Sequence, residues 1–456
     1  MSARRVAYPT YRDSGLDWLG DVPEHWATGV KLLNLAESSR GSFVNGPFGS
    51  DLLANELGDE GVPVVYIRDL NVGGYYRKSA VCVTAIKARE LDFCRVAPGD
   101  VLVAKVGDPP GDACVYPAGA DAAIVTQDVI RIRIEKSRVH PFYLACVLNT
   151  AYGRAVVENI SVESTRKRVS LGDFKKIRLA LPPVAEQTQI AKFLDYETAK
   201  IDALIEKQQQ LIALLQEKRQ AVISHAVTKG LNPDAPMRDS GVEWLGKVPA
   251  HWEVKRAKHV ACVFVPQRNK PELNDSDGVA WITMDDMHTD EITNGRLYVS
   301  SEAARNAGSK ILEKGAVIAS CVGNFGACAI NRIDVVINQQ LQAYVPFGIA
   351  PSYLAALVEL SVPYFEMVGT AATLVYVNQR GFDEMPVVVP PPDEQLGICE
   401  AVATAKSSFD STMRRVTDGI DLLQERRTAL ISAAVTGKID VRGWKPPASD
   451  ADAEVA

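Results

Sequence analysis

RDSGLDWLGDVPEHW, residues 12–26, returns as RDSGVEWLGKVPAHW at residues 238–252. Eleven of the fifteen positions are identical. A match of that length marks a duplication, and repeats set the architecture before any other feature is read. A second pair follows: ALLQEKRQAVISHAVT (213–228) and DLLQERRTALISAAVT (421–436). At the offset of that second pair, Glu186-Gln187 aligns with Glu394-Gln395. Each lies just after a proline pair, Pro182-Pro183 and Pro391-Pro392. From Glu-Gln to the end of the second pair the copies have equal length. The chain is therefore two tandem halves, each a short motif, a long divergent centre, a proline pair and a helical segment.

The spacing predicts a helix over 186–228. The proline pair stops the preceding strand, Glu186 suits a helix N-terminus, Gly230 can close the end and Pro233 prevents continuation. Ile190, Leu194, Ile201, Leu204, Leu211, Leu215 and Val222 recur at the three-four spacing of a heptad seam, interrupted by Gln208 and Lys218. The second copy repeats this with Ile398, Val402, Phe409, Val416, Ile420, Leu423 and Leu430, then Gly437. Each helix is about 60 Å long at about 1.5 Å per residue. Two such stripes can bury each other in a rod, for which Leu204, Leu211, Leu215, Ile420 and Leu423 are the expected packing residues. The alternative is that each helix packs on its own domain.

The centres read as mixed α/β. Strands are expected at Val62–Ile67, Val101–Val106, Val129–Ile134, Ile177–Leu181, Ala280–Thr283, Ala316–Cys321, Val335–Asn338 and Pro386–Val389. Helices are expected at Pro141–Asn149 and Pro351–Ser361. A weaker internal match, 98–115 with 314–330 and 169–174 with 377–382, points to one α/β fold used twice.

Composition sets limits. Apolar residues make up 47% and charged residues 23% of the 456 residues, which excludes disorder for the bulk of the chain. No apolar run suffices for a membrane span, and the N-terminus has no signal-like apolar region, so a cytoplasmic location is expected. Eight Cys without a C-x-x-C pair fit reduced thiols better than disulfides or a zinc ribbon. The net charge of −6 gives no support to a nucleic-acid partner by itself, though local patches matter more than the sum.

No catalytic constellation stands out. Gly241–Lys247 nearly matches a phosphate-binding loop, but Val248 replaces the Mg²⁺-binding hydroxyl and Asp21 stands at Lys247's place in the other copy. Asp108-Pro109-Pro110-Gly111 lacks the aromatic that would stack a flipped base and reads as a turn. His25 and His251 fit packed positions in the repeat, and Cys321 and Cys328 fit the core. No metal site is expected. What does concentrate is basic and amide side chains. Residues 164–178, STRKRVSLGDFKKIR, hold six Lys/Arg. Lys and Arg contact phosphates, while Arg, Asn and Gln read base edges. The expected DNA-contacting set is Arg68, Arg77, Lys78, Lys105, Gln127, Arg166, Lys167, Arg168 and Lys175 in the first half. In the second half it is Asn324, Gln339, Gln340, Asn378 and Arg380.

The duplicated D-S-G-x-x-W-L-G-x-x-P-x-H-W motif (13–26, 239–252) resembles that of the specificity subunits of Type I restriction-modification systems. LPPVAEQTQIAKFLD (181–195) resembles the start of that family's long helices, and 215–231 and 423–439 resemble their ends. GPFGSDL (46–52) is similar to one class of target-recognition domain. The resemblance spans the chain. It implies two tandem target-recognition domains separated by two long helices in an antiparallel coiled coil. The implied segments are a motif-bearing N-terminal segment 1–26, a domain 27–181, a spacer helix 182–232, a linker 233–252, a domain 253–389, a spacer helix 390–440 and a flexible tail 441–456.

The resemblance also implies that the chain reads an asymmetric bipartite site on double-stranded DNA, one half-site per domain. It implies docking of two methyltransferase subunits, and of two restriction subunits where the system restricts. S-adenosylmethionine, ATP and Mg²⁺ then belong to the partners, and this chain is a non-catalytic subunit without a cofactor. The rival readings are a coiled-coil scaffold or non-specific DNA-binding protein without a methylation partner, and a true methyltransferase.

Overall fold

The computed structural model describes residues 6–47, 51–162, 167–370 and 375–446. The chain divides into two units, Met1–Gln208 with Asp418–Ala456, and Gln209–Thr417. The boundary does not follow the sequence repeat. Each long helix gives its first part to one unit and its last part to the other.

In the first unit a four-stranded sheet runs in the order Ala113–Val115, Val101–Ala104, Val129–Ile132, Phe43–Asn45, all antiparallel. A five-stranded sheet of short strands joins it, with one parallel pair, Val62–Val65 beside Ala123–Val125. In the second unit Val317–Ser320 pairs antiparallel with Leu341–Pro346 in a five-stranded sheet, and Val279–Ile282 pairs parallel with Val335–Ile337. The central ladders share a register: Val101 faces Ile132 as Val317 faces Tyr344, and Ala104 faces Val129 as Ser320 faces Leu341. The divergent centres are thus one mixed α/β fold. Val101–Val103, Val129–Ile130, Val317–Ile318 and Leu341 are fully buried, and such strands read as continuous apolar runs rather than alternating ones.

The repeats meet at one locus in each unit. In the first, Glu186 in the first turn of the helix Val184–Lys229 accepts the indole N–H of Trp26 at 3.0 Å, and His25 Nε2 lies 2.7 Å from its other oxygen. Gln187 accepts the His140 N–H (2.8 Å) and donates to the Pro182 carbonyl (2.9 Å). The end of the helix Pro392–Val435 lands on the same spot. Gly437 has φ +75°, and a Cβ there would fall 2.3 Å from the Pro23 ring, so only glycine fits. Tyr143 ties that end down by donating to the Val435 carbonyl at 3.1 Å.

The second unit repeats the lock. Glu394 accepts the Trp252 indole N–H (2.9 Å) beside His251 (2.7 Å), and Gln395 accepts the Ala350 N–H (2.8 Å). Gly230 (φ +77°) abuts Trp252, and Tyr353 donates to the Val227 carbonyl at 2.7 Å. The repeated motif, the Glu-Gln pair and the helix end therefore recur together because they form one structure. Each Trp is 1% exposed, and burying an aromatic ring of that size is worth several kcal/mol at about 25 cal/mol per Å².

Within the first unit the two helix segments run antiparallel: Arg427 pairs with Asp202 (2.9 Å), and Gln189 donates to the Trp444 carbonyl. Within the second, Arg219 lies 3.5 Å from Asp410 while Ile223 and Val227 share a core with Ile398 and Val402.

Three expectations need correction. Leu204 and Leu211 are 46% and 40% exposed. The less exposed line on this helix instead passes through Ile201, Ile205, Gln208, Ile212, Leu215 and Arg219, also at three-four spacing. Two apolar lines lie side by side on the helix; Ile201 and Leu215 belong to the less exposed line, whereas Leu204 and Leu211 fall on its exposed neighbour. Ile420 (8% exposed) and the partly buried Leu423 do face cores. The expected tail begins later than 441, because Val441 is buried and Trp444 packs edge-on to Phe193 at 5.3 Å and beside Tyr196 at 5.5 Å. Residues 447–456 lie outside the described residues. No helix among the described residues is long and apolar enough to cross a membrane.

Candidate nucleic-acid interface

Three segments converge at one end of the central ladder of the first unit. The strand Val101–Ala104 runs out at Lys105, whose N–H donates to the Asp128 carbonyl (2.8 Å) just before Val129–Ile132 begins. Val169 N–H donates to the Lys105 carbonyl (3.0 Å), and Gly107 N–H to that of Lys167 (3.2 Å). Asn45 Nδ2 reaches the Gln127 carbonyl from the neighbouring strand (3.4 Å). The backbone thus assembles Lys105, Gln127, Asp128, Lys167 and Arg168 from three distant stretches.

The site is cationic. Arg168 lies 3.6 Å from Asp128, and Lys167 pairs with Glu158. Burial and the neighbouring Arg168 hold the Lys105 ammonium below the usual lysine range, with Asp128 opposing them. A half-desolvated cation of this kind is stabilised by an arriving phosphate or guanine edge.

The second unit builds the same frame. Cys321 N–H donates to the Gln340 carbonyl (2.9 Å), Val377 N–H to that of Cys321 (2.9 Å) and Gly323 N–H to that of Val375 (3.0 Å). The bridges Val106–Arg168 and Val322–Tyr376 occupy equivalent places. The side chains on the frame differ. Cys321, Gln339, Gln340 and Tyr376 stand where the first unit has Lys105, Gln127, Asp128 and Arg168. Gln339 Nε2 donates to the Gln267 and Arg268 carbonyls (3.0 and 3.1 Å), and the Asn338 side chain brackets Gln340. Beneath them the buried Gln342 donates to the Val377 carbonyl at 3.1 Å and so fixes the strand that presents Tyr376. Burial pushes the Cys321 thiol up to about 11, which keeps it protonated and unreactive.

Of the sequence-predicted residues, Lys105, Gln127, Lys167 and Arg168 come together, as do Gln339 and Gln340 with Asn324 on the adjoining turn. Asn378 follows directly in the chain, its side chain capping the short helix Gln379–Asp383 by accepting the Gly381 N–H; Arg380 on that helix is exposed. The others sit elsewhere. Arg68 stacks on Tyr66 (4.7 Å) and donates to Ser79, Arg77 is tied to the Ser79 carbonyl, and Lys78 follows on the same loop. Lys175 covers the Phe43 ring at 5.4 Å. Arg166 lies outside the described residues, as do residues 48–50 of GPFGSDL. Asn45, Asp128, Tyr376 and Gln342 carry no signal in the sequence reading, and Cys321, expected in the core, is 1% exposed there. Aligning TQDV (126–129) with NQQL (338–341) would have located the frame in both halves.

The fold is shared with solved restriction-modification proteins. A chain from a structure concerned with complex assembly and conformational transition of the type I R-M system superposes with a TM-score of 0.65 at 17% identity, covering 91% of this chain and 98% of that one. The HsdS subunit from Thermoanaerobacter tengcongensis superposes at 0.53 with 15% identity, over 92% and 98% of the two chains. In sequence, the putative type I restriction enzyme MjaX specificity subunit of Methanocaldococcus jannaschii is 20% identical over 434 residues, 93% of this chain and 96% of that protein. The type I restriction enzyme EcoBI specificity subunit of Escherichia coli is 23% identical over 414 residues, 85% and 81% of the two. The fold class is thus that of restriction-modification specificity subunits. The model of the Type I restriction modification DNA specificity domain matches residues 91–214 and 249–414, more than half the chain, and the chain belongs to that family.

Proposed function

We propose that the chain reads an asymmetric bipartite DNA site, one half-site per unit, and holds the methyltransferase subunits that modify it. The observation that carries this reading is one backbone frame used twice with different chemistry: Lys105, Asp128 and Arg168 against Cys321, Gln340 and Tyr376. A frame kept while the side chains it carries change, from Lys105, Asp128 and Arg168 to a buried Cys321 with exposed Gln340 and Tyr376, suits two words read by one mechanism. The first frame contacts phosphates and guanine edges through Lys105 and Arg168. The second reads an adenine-bearing pair through the Gln340 amide, which Gln339, tied to the Gln267 and Arg268 carbonyls, helps to position.

The long helices, at 46 and 44 residues, are about 65–70 Å each. As an antiparallel coiled coil they set the gap between half-sites. Two methyltransferase subunits dock on the duplicated scaffold and supply S-adenosylmethionine chemistry; restriction subunits supply ATP- and Mg²⁺-dependent cleavage where the system restricts. Exchange of residues 27–181 for those of another family member tests the reading in the assembled complex. One half of the methylated motif changes and the other stays. A change in both halves, or in neither, contradicts it.

A further inference from the structure

The two locks at the helix starts differ in what covers them. In the first unit the chain covers its own lock. Tyr8 is buried, its hydroxyl donates to Glu186 at 2.7 Å, and its ring stands edge-on to Trp26 at 6.3 Å. Arg442 lies over that ring at 5.0 Å. Tyr11 accepts the Tyr8 N–H and donates to the Gly437 carbonyl. In the second unit the residues at the same places before the repeat are Asp234 and Met237, both exposed. Neither has a hydrogen bond to Glu394 among the described residues. Instead a pocket of about 210 Å³ opens there, lined by Gly230, Leu231, Pro249, His251, Glu394 and Ile398. Pro249, His251, Glu394 and Ile398 are the repeat equivalents of Pro23, His25, Glu186 and Ile190 in the first unit, and Gly230 abuts Trp252 as Gly437 abuts Trp26. The Glu394 side chain is 42% exposed, against 6% for Glu186. An apolar cavity of about 150 Å³ already admits a benzene ring.

We propose that this pocket seats a tyrosine from a partner protein, its hydroxyl donating to Glu394 as Tyr8 donates to Glu186. The first unit shows the geometry of such an occupant. A second copy's Tyr8 is a poor candidate, because Tyr8 is held at home by Glu186, Tyr11, Arg442 and the Val6–Asp440 bridge. The second unit has no arginine at the place of Arg442, so the occupant brings its own positive charge next to the tyrosine.

A labelled peptide of residues 6–13, VAYPTYRD, is the probe, titrated against the full-length protein by fluorescence anisotropy. Saturable binding of one peptide per chain is expected, weakened about tenfold when the Tyr8 position of the peptide is Phe, since a hydrogen bond to a carboxylate is lost. Asp234→Tyr in the full chain supplies the ring from within and blocks the peptide; Leu231→Trp at the pocket rim is a second blocking variant. No binding, an unaffected Phe peptide, or binding undiminished in both variants overturns the proposal. A concentration-dependent dimer of the full chain that dissolves in Tyr8→Phe assigns the pocket to a second copy and also overturns it.

Discussion

Glu186 and Glu394 hold equivalent positions in very different surroundings. Glu186 is buried and accepts from Tyr8 and Trp26 beside His25. Glu186→Ala strands those donors and is expected to destabilise the protein by about 3 kcal/mol in urea unfolding, because unpaired buried polar groups are expensive. Glu394→Ala is expected to cost about 1 kcal/mol, since water replaces the lost partner at a half-exposed site. Partial burial opposes ionisation of Glu394, but hydrogen bonds from Trp252 and His251 outweigh it and hold the carboxyl below its ordinary 4.5. A depressed carboxyl stabilises the fold above the unfolded value, and that stability disappears as pH falls through the folded value. The stability gap between wild type and Glu394→Gln is therefore expected to be constant near neutrality and to close below about pH 4.5. A gap that persists at pH 3 contradicts the role of the ionised Glu394 carboxylate as acceptor.

The reading frames make a residue-scale prediction of a different kind. Lys105→Gln is expected to lower the salt slope of DNA binding by about one and weaken all sequences alike. Gln340→Ala is expected to leave the slope unchanged and relax one base preference by about 1–3 kcal/mol. Equal slopes for wild type and Lys105→Gln place that lysine away from the phosphates.

At the scale of elements, the helix ends were readable because the punctuation is local. Pro182-Pro183, Glu186 and Gly230 bound the helix Val184–Lys229 to within two residues of the sequence reading. The phase of its buried stripe was not readable. Ile201, Leu204, Ile205, Leu211, Ile212 and Leu215 make two adjacent apolar lines, and only the partner's shape selects between them. Ile201→Ala and Leu430→Ala are expected to cost about 2–5 kcal/mol, and Leu204→Gln and Leu211→Gln less than about 0.5 kcal/mol, by urea unfolding. Removing one heptad from both helices shortens each by about 10 Å, and under the proposed ruler role the preferred half-site gap falls by about three base pairs. An unchanged gap removes the ruler role.

The strands at the core of each centre were visible as apolar runs, but two-residue strands such as Leu57–Gly58 and Cys82–Val83 carry no periodicity to read. The site was half-visible for a related reason. Lys105, Gln127 and Arg168 each look like ordinary loop residues. Only long-range backbone pairing brings them together, and no local pattern encodes that.

At the scale of the whole molecule, a net charge of −6 sits awkwardly with a DNA-reading role. If partner subunits supply most of the phosphate contacts, the isolated chain has a shallow salt dependence and the assembled complex a steep one. A steep slope for the chain alone rejects that division of labour. The most direct test of the account is a genome-wide methylation map of the host with and without this gene. Loss of one asymmetric, two-part adenine-methylation motif is the predicted result. A map that does not change, or that loses a symmetric or undivided motif, contradicts the claim that the two units read two different words.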